Sequence, residues 1–167
     1  MRPPVTPSKY PQWFIRPMEL HQIHLVVSWM DALDPYGEMD QPAIATRMEK
    51  EMIRAQATHS PQYIIGRIDE LPAFFLNGFL TSKRDYEILA LLPNPILQRE
   101  LYPSVYLQAF KYLFEQDLVG RILLQVEKGD DYLITILYQL GFTAPGDYTT
   151  HNLTHKWYAC KLADFIS

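Results

Sequence analysis

Residues 120–142 limit most strongly what this chain can fold into. A nearly continuous apolar run, Arg121-Ile122-Leu123-Leu124-Gln125-Val126, precedes an acidic turn and a helical pattern ending Leu137-Tyr138-Gln139-Leu140-Gly141-Phe142. A run that is apolar at nearly every position suits a strand covered on both faces, whereas a strand with one wet face alternates. Asp130 stands where a helix N-cap is expected, its carboxylate accepting from the free N–H groups of the first turn. Leu133, Ile136, Leu137 and Leu140 recur at helical spacing, and Gly141 sits where a left-handed C-cap ends the helix.

The rest of the chain supplies further strands and helices. Residues 1–12 hold Pro3, Pro4, Pro7 and Pro11 and read as an extended arm, because each proline fixes φ and removes a donor. Trp13 to Arg16 is a short strand stopped by Pro17. Leu20, Ile23, Val27 and Met30 predict an amphipathic helix over 18–32. Asp34-Pro35-Tyr36-Gly37 is a turn, and Asp40 caps a second helix over 41–57. Residues 63–68 and 73–79 read as paired strands joined through Asp69-Glu70-Leu71-Pro72, with another strand over 86–92. Leu101, Val105, Ala109 and Leu113 line one face of a long helix ending near Gln116. Strands near 142–148 and 156–161 finish the chain. This order predicts an α/β (α+β) protein with four helices packed on a mixed sheet of six to seven strands. No repeat or composition shift divides the chain, so 1–167 is expected to form one domain.

Composition narrows the function classes. Hydrophobic residues make up 48% and charged residues 20%, too apolar for disorder and enough to build a core. A formal charge of −4 with scattered basic residues argues against a general nucleic-acid binder. A single cysteine, Cys160, excludes an internal disulfide framework. No apolar run approaches the roughly 20 residues that span a bilayer, and Met1-Arg2-Pro3-Pro4 opens no signal peptide. A cytoplasmic protein is therefore expected. His21-x-x-His24 and His151-x-x-x-His155 have spacings that suit a metal, but neither brings a Cys or carboxylate cluster. Cys160 alternates into the last strand as a small hydrophobe. No Gly-x-Ser-x-Gly elbow, P-loop or dinucleotide fingerprint is present.

Four stretches resemble the GCN5-related N-acetyltransferases, and within them the siderophore-biosynthesis acyltransferases. Phe14-Ile15-Arg16-Pro17 with Ser28-Trp29-Met30 is similar to that group's opening strand and first helix. Tyr112-Leu113-Phe114 is similar to the end of its long helix. Leu137 to Phe142 resembles the superfamily's Leu-Tyr-x-x-Gly-Phe ending, and His155-Lys156 a pair before the last strand. The resemblance implies the GCN5-related N-acetyltransferase fold, in which two strands splay and acetyl-CoA or a longer acyl-CoA enters the gap. Pantetheine would pair with a strand edge at Leu91. The diphosphate would rest at the start of the long helix, among Gln98, Arg99, Tyr102 and Ser104, where free N–H groups and the helix dipole favour negative charge.

Tyr138 holds the place of the superfamily's tyrosine acid, so it would line the coenzyme site and protonate the departing thiolate. Asp131 is the candidate base or substrate anchor, and Trp29 and His155 are candidate substrate contacts. The implied acceptor is an amine or hydroxylamine of a small metabolite, in siderophore assembly. No metal, nucleic-acid or membrane partner is expected, and the chain would be a monomer or homodimer.

Two sites depart from the pattern. Leu101 and Pro103 replace small residues of the diphosphate loop, the first adding bulk and the second lacking an N–H. Pro103 equally suits the first turn of a packed helix. Ile88 stands where the siderophore group carries a histidine and cannot move a proton; Glu87 beside it should point to the strand's other face. Asp130 and Asp131 equally serve as caps. These departures favour one alternative, a silent acetyltransferase fold used for binding or assembly. A second enzyme reading keeps the fold and takes an aminoglycoside-like amine, as the related resistance acetyltransferases do.

Overall fold

Six strands form one mixed sheet in the order β1-β2-β3-β4-β5-β6. The computed structural model describes residues 13–33, 41–58, 62–66, 72–116, 118–148 and 153–166. The strands are β1 (Phe14–Pro17), β2 (Tyr63–Gly66), β3 (Phe74–Leu80), β4 (Asp85–Pro93), β5 (Arg121–Glu127) and β6 (His155–Lys161). The helices are α1 (Ile23–Leu33), α2 (Gln41–Thr58), α3 (Tyr102–Glu115) and α4 (Asp131–Gln139). Every strand pair is antiparallel except β4 with β5. A parallel pair needs a long crossover, and α3 supplies it.

The sheet is covered on both faces. Val105, Phe110 and Leu113 of α3 and Ile136 and Leu137 of α4 pack with Phe74, Leu76, Ile122 and Leu124. On the opposite face Val26 and Trp29 of α1 and Met48 and Met52 of α2 pack with Ile64 and Phe75. The continuous apolar run of β5 follows: Ile122 and Val126 enter the α3/α4 core, while Leu123 between them is also fully buried. Asp130 caps α4 as its sequence predicts, accepting from the Leu133 N–H at 3.1 Å. Gly141 adopts φ +98°. There the Phe142 N–H donates to the Leu137 carbonyl (2.9 Å) and the Gly141 N–H to that of Tyr138 (3.2 Å), closing the helix.

One expected strand is not formed. Over 142–148 only Thr143 pairs, exchanging hydrogen bonds of 2.9 and 2.8 Å with Ala159 of β6. Pro145 lacks the donor that a ladder would need two residues on. The segment instead runs as a strap across the sheet. The N-terminal arm, the turn at 34–37, the Asp40 cap and residues 67–71 lie outside the described residues. Among the described residues no helix is long and apolar enough to cross a membrane.

Candidate functional site

The ladder between β4 and β5 is short. It pairs Asp85, Tyr86, Glu87 and Ile88 with Arg121, Ile122, Leu123 and Leu124, then stops. Beyond it β4 stays on β3 as far as Pro93, and β5 stays on β6 as far as Glu127, so the sheet opens into a wedge. The cause is a bulge: Asn77 opposes Ala90 while Gly78 opposes Ile88, leaving Leu89 as the extra residue on β4. A bulge bends its strand and steps up the twist. Leu89 is left 64% exposed. Past Ile88, the β4 edge that faces β5 has no ladder partner, and Leu91 lies on it. That edge can take a ligand's amides as an added strand would.

After β4, Asn94 anchors the connection to α3. Its N–H donates to the Ala73 carbonyl (2.8 Å), and its side-chain amide donates to that of Pro72 (3.1 Å). A 3₁₀ turn over Arg99–Leu101 leads into α3, with Pro103 in the helix's first turn. The turn engages the Leu101 N–H with the Gln98 carbonyl (3.0 Å) and the Tyr102 N–H with that of Arg99. Pro103 has no N–H, so this cradle offers an anion fewer donors than a glycine loop would. The Ser104 hydroxyl points inward, donating to the Leu101 carbonyl and accepting from the Trp13 indole, both at 2.9 Å. Gln98 and Arg99 are exposed. Tyr132 of α4 braces the turn: its hydroxyl donates to the Arg99 carbonyl (2.6 Å) and the Arg99 guanidinium lies 4.4 Å above its ring. Sequence reading missed Tyr132.

Tyr138 is 52% exposed, its ring edge-on to Tyr158 of β6 at 5.8 Å. Burial, with Tyr138 beside it, pushes the Tyr158 hydroxyl above the ordinary tyrosine value. Asp131 is exposed in the first turn of α4. Seven residues separate it from Tyr138, two turns or roughly 10 Å of helix rise. The helix therefore does not bring this proposed acid and base together. Trp29 is 3% exposed inside the α1/α2 core. His155 shares a 2.8 Å hydrogen bond with Thr154 at the start of β6. Among the described residues no three His, Cys, Asp or Glu side chains are grouped to hold a metal.

The other face of β4 holds a cluster that sequence reading passed over. Tyr86 and Ile88 enter the α3/α4 core, so Glu87 between them turns to the opposite face. The bulge keeps Ala90 and Leu92 on that same face, under α1 and α2. Glu87 thus lies between the helical cover and the strap. Tyr148 of the strap donates to the Glu87 carboxylate at 2.8 Å, and its ring tilts against Trp157 of β6 at 4.9 Å. Burial and the bond to Glu87 push the Tyr148 hydroxyl up to about 12. Beside them Arg121 holds two carboxylates. It contacts Asp85 at 3.0 and 2.8 Å, and Asp147 of the strap at 2.9 and 2.9 Å. Those bonds, with Asp85 first, raise the guanidinium further above its ordinary value. Arg121 likewise draws Asp147 down to about 2.

No protein-family model matches the chain, and no curated protein matches it. Solved structures do. Spermidine N-acetyltransferase of Vibrio cholerae, in complex with CoA and spermine, matches with a TM-score of 0.69 at 14% identity, over 93% of this chain and 99% of that one. Aminoglycoside N-acetyltransferase AAC(6')-Ib11 gives 0.71 at 18% identity, over 92% and 98%. FdhC, a nucleotide-linked sugar N-acetyltransferase of the GCN5-related type, gives 0.74 at 13% identity, over 93% and 90%. The chain has the fold of the GCN5-related N-acetyltransferases.

Proposed function

We propose that this protein is an acyl-CoA-dependent N-acyltransferase for a small amine or hydroxylamine acceptor. One observation carries the proposal: the β4–β5 ladder ends at a bulge, leaving an open strand edge with a tyrosine on one face and a carboxylate on the other. An acyl-CoA would lie along that edge at Leu91, with its diphosphate at the turn of Gln98, Arg99 and Tyr102. The amine would approach from the strap face. Glu87 takes the proton that the attacking nitrogen loses, and Tyr138 gives one to the departing thiolate. Glu87 replaces Asp131 as base because it lies one residue from the end of the ladder, whereas Asp131 sits at the far end of α4 from Tyr138.

The charge on the strap face refines the acceptor. Asp85, Glu87 and Asp147 stand against Arg121, with Lys83 beside Asp147. That surplus of carboxylate favours a cationic amine of the polyamine or aminoglycoside kind over a siderophore hydroxylamine. A silent binding subunit is favoured by one feature, the turn at Arg99–Leu101, where Pro103 lacks an N–H and two others are engaged. Calorimetric titration with acetyl-CoA separates the two. Micromolar binding, with Tyr138→Phe lowering kcat by about 10²-fold at unchanged affinity, supports the enzyme. Absence of binding at millimolar acetyl-CoA overturns it.

A further inference from the structure

We propose that Arg121 and Asp147 are positioning residues, forming a latch that holds the strap so that Tyr148 fixes the Glu87 carboxylate. The proposal rests on Glu87 being the base. The described strap is anchored at its start, by the buried Phe142 and the Thr143–Ala159 pair, and at its Asp147–Tyr148 end. Between them the chain is lightly packed, with Pro145 half-buried. Thr143, Ala144 and Gly146 are exposed, and a Cβ built on Gly146 would meet nothing within 4 Å. The place of Tyr148 is therefore set by its tethers.

Arg121 is suited to this because its two ion pairs differ. The Asp85 pair is within the sheet, with side chains 16% and 6% exposed, and fixes the guanidinium. The Asp147 pair is 16% and 58% exposed, so water screens it and it can open without disturbing the sheet. A planar guanidinium serves both carboxylates bidentately, which a lysine cannot do. Arg121 also lies 5.4 Å from the Tyr148 ring, so it meets the strap at two successive residues. When the latch closes, Glu87 keeps one orientation toward the acceptor face. When it opens, Tyr148 leaves Glu87 and an acceptor can enter.

Amide hydrogen exchange over 142–148 is measured on full-length wild type, Asp147→Asn, Asp147→Glu and Tyr148→Phe, together with acetyl transfer from acetyl-CoA to spermidine or hydroxylamine. Asp147→Asn is expected to speed strap exchange about tenfold at an unchanged unfolding midpoint. It should raise the acceptor KM about tenfold while the acetyl-CoA KM stays. Asp147→Glu restores both, and Tyr148→Phe keeps the wild-type acetyl-CoA KM but lowers kcat. Strap exchange unchanged in Asp147→Asn overturns the latch, and that arm needs no acceptor. An equal rise in both KM values also overturns it, since it marks general loss of structure. Failure of the underlying reading has its own signature: Glu87→Gln turning over at the wild-type rate.

Discussion

Gly78 and Gly141 are positions where a missing side chain shapes the site. A Cβ at Gly78 would stand 2.5 Å from the Glu87 carbonyl and 2.5 Å from the Tyr86 ring, so any larger residue forces β3 off the bulged part of β4. At Gly141 the left-handed φ costs an alanine about 1–2 kcal/mol. There a Cβ would also collide with the Asp164 carbonyl. Gly141→Ala should therefore destabilise by about 2–4 kcal/mol, read as a lower denaturation midpoint. Gly129→Ala, whose Cβ meets nothing within 4 Å, is the control. It should fall within about 0.5 kcal/mol of wild type. Glu87 shows what a residue alone discloses. Alternation put it opposite Ile88, but its partner Tyr148 is 61 positions away.

Among the elements, the 3₁₀ turn before α3 and the N-terminal turn of α4 act as one unit, because Tyr132 joins them. Tyr132→Phe removes a hydrogen bond of about 1 kcal/mol. It should lower stability by about that amount, read by thermal melting, and under the proposed function weaken CoA binding a few-fold, read by calorimetry. Pro103→Ala returns an N–H to the helix start and should tighten CoA binding a few-fold. An unchanged affinity would place the diphosphate elsewhere. The ends of α4 were legible in the sequence because both signals are local, Asp130 to Leu133 at the start and Gly141 to Tyr138 with Phe142 to Leu137 at the stop. Residues 142–148 misled because Phe142 and Tyr148 mimic strand residues, while Pro145 and Gly146 between them release the chain from β6.

Across the whole molecule, buried tyrosines couple the fold to alkaline pH. Burial, chiefly, holds Tyr63 up to about 12 and Tyr148 up to about 12, and pushes Tyr86 and Tyr106 higher. The folded state thus favours neutral phenols over the unfolded chain, whose tyrosines ionise near 10. The stability this contributes is complete below about pH 10 and is lost as pH rises towards about 12. Tyrosinate absorbance should therefore rise together with unfolding over that range; full ionisation of a still-folded protein would refute it. The sequence by itself determined the order of elements, the two-faced burial of β5 and the cap and stop of α4, because each depends on neighbours within a turn or on strand periodicity. Only the tertiary structure decided where β4 leaves β5 and that Glu87 meets Tyr148. Those outcomes follow from one extra residue at Leu89 and from a strap held by Arg121, contacts between segments that no local pattern connects.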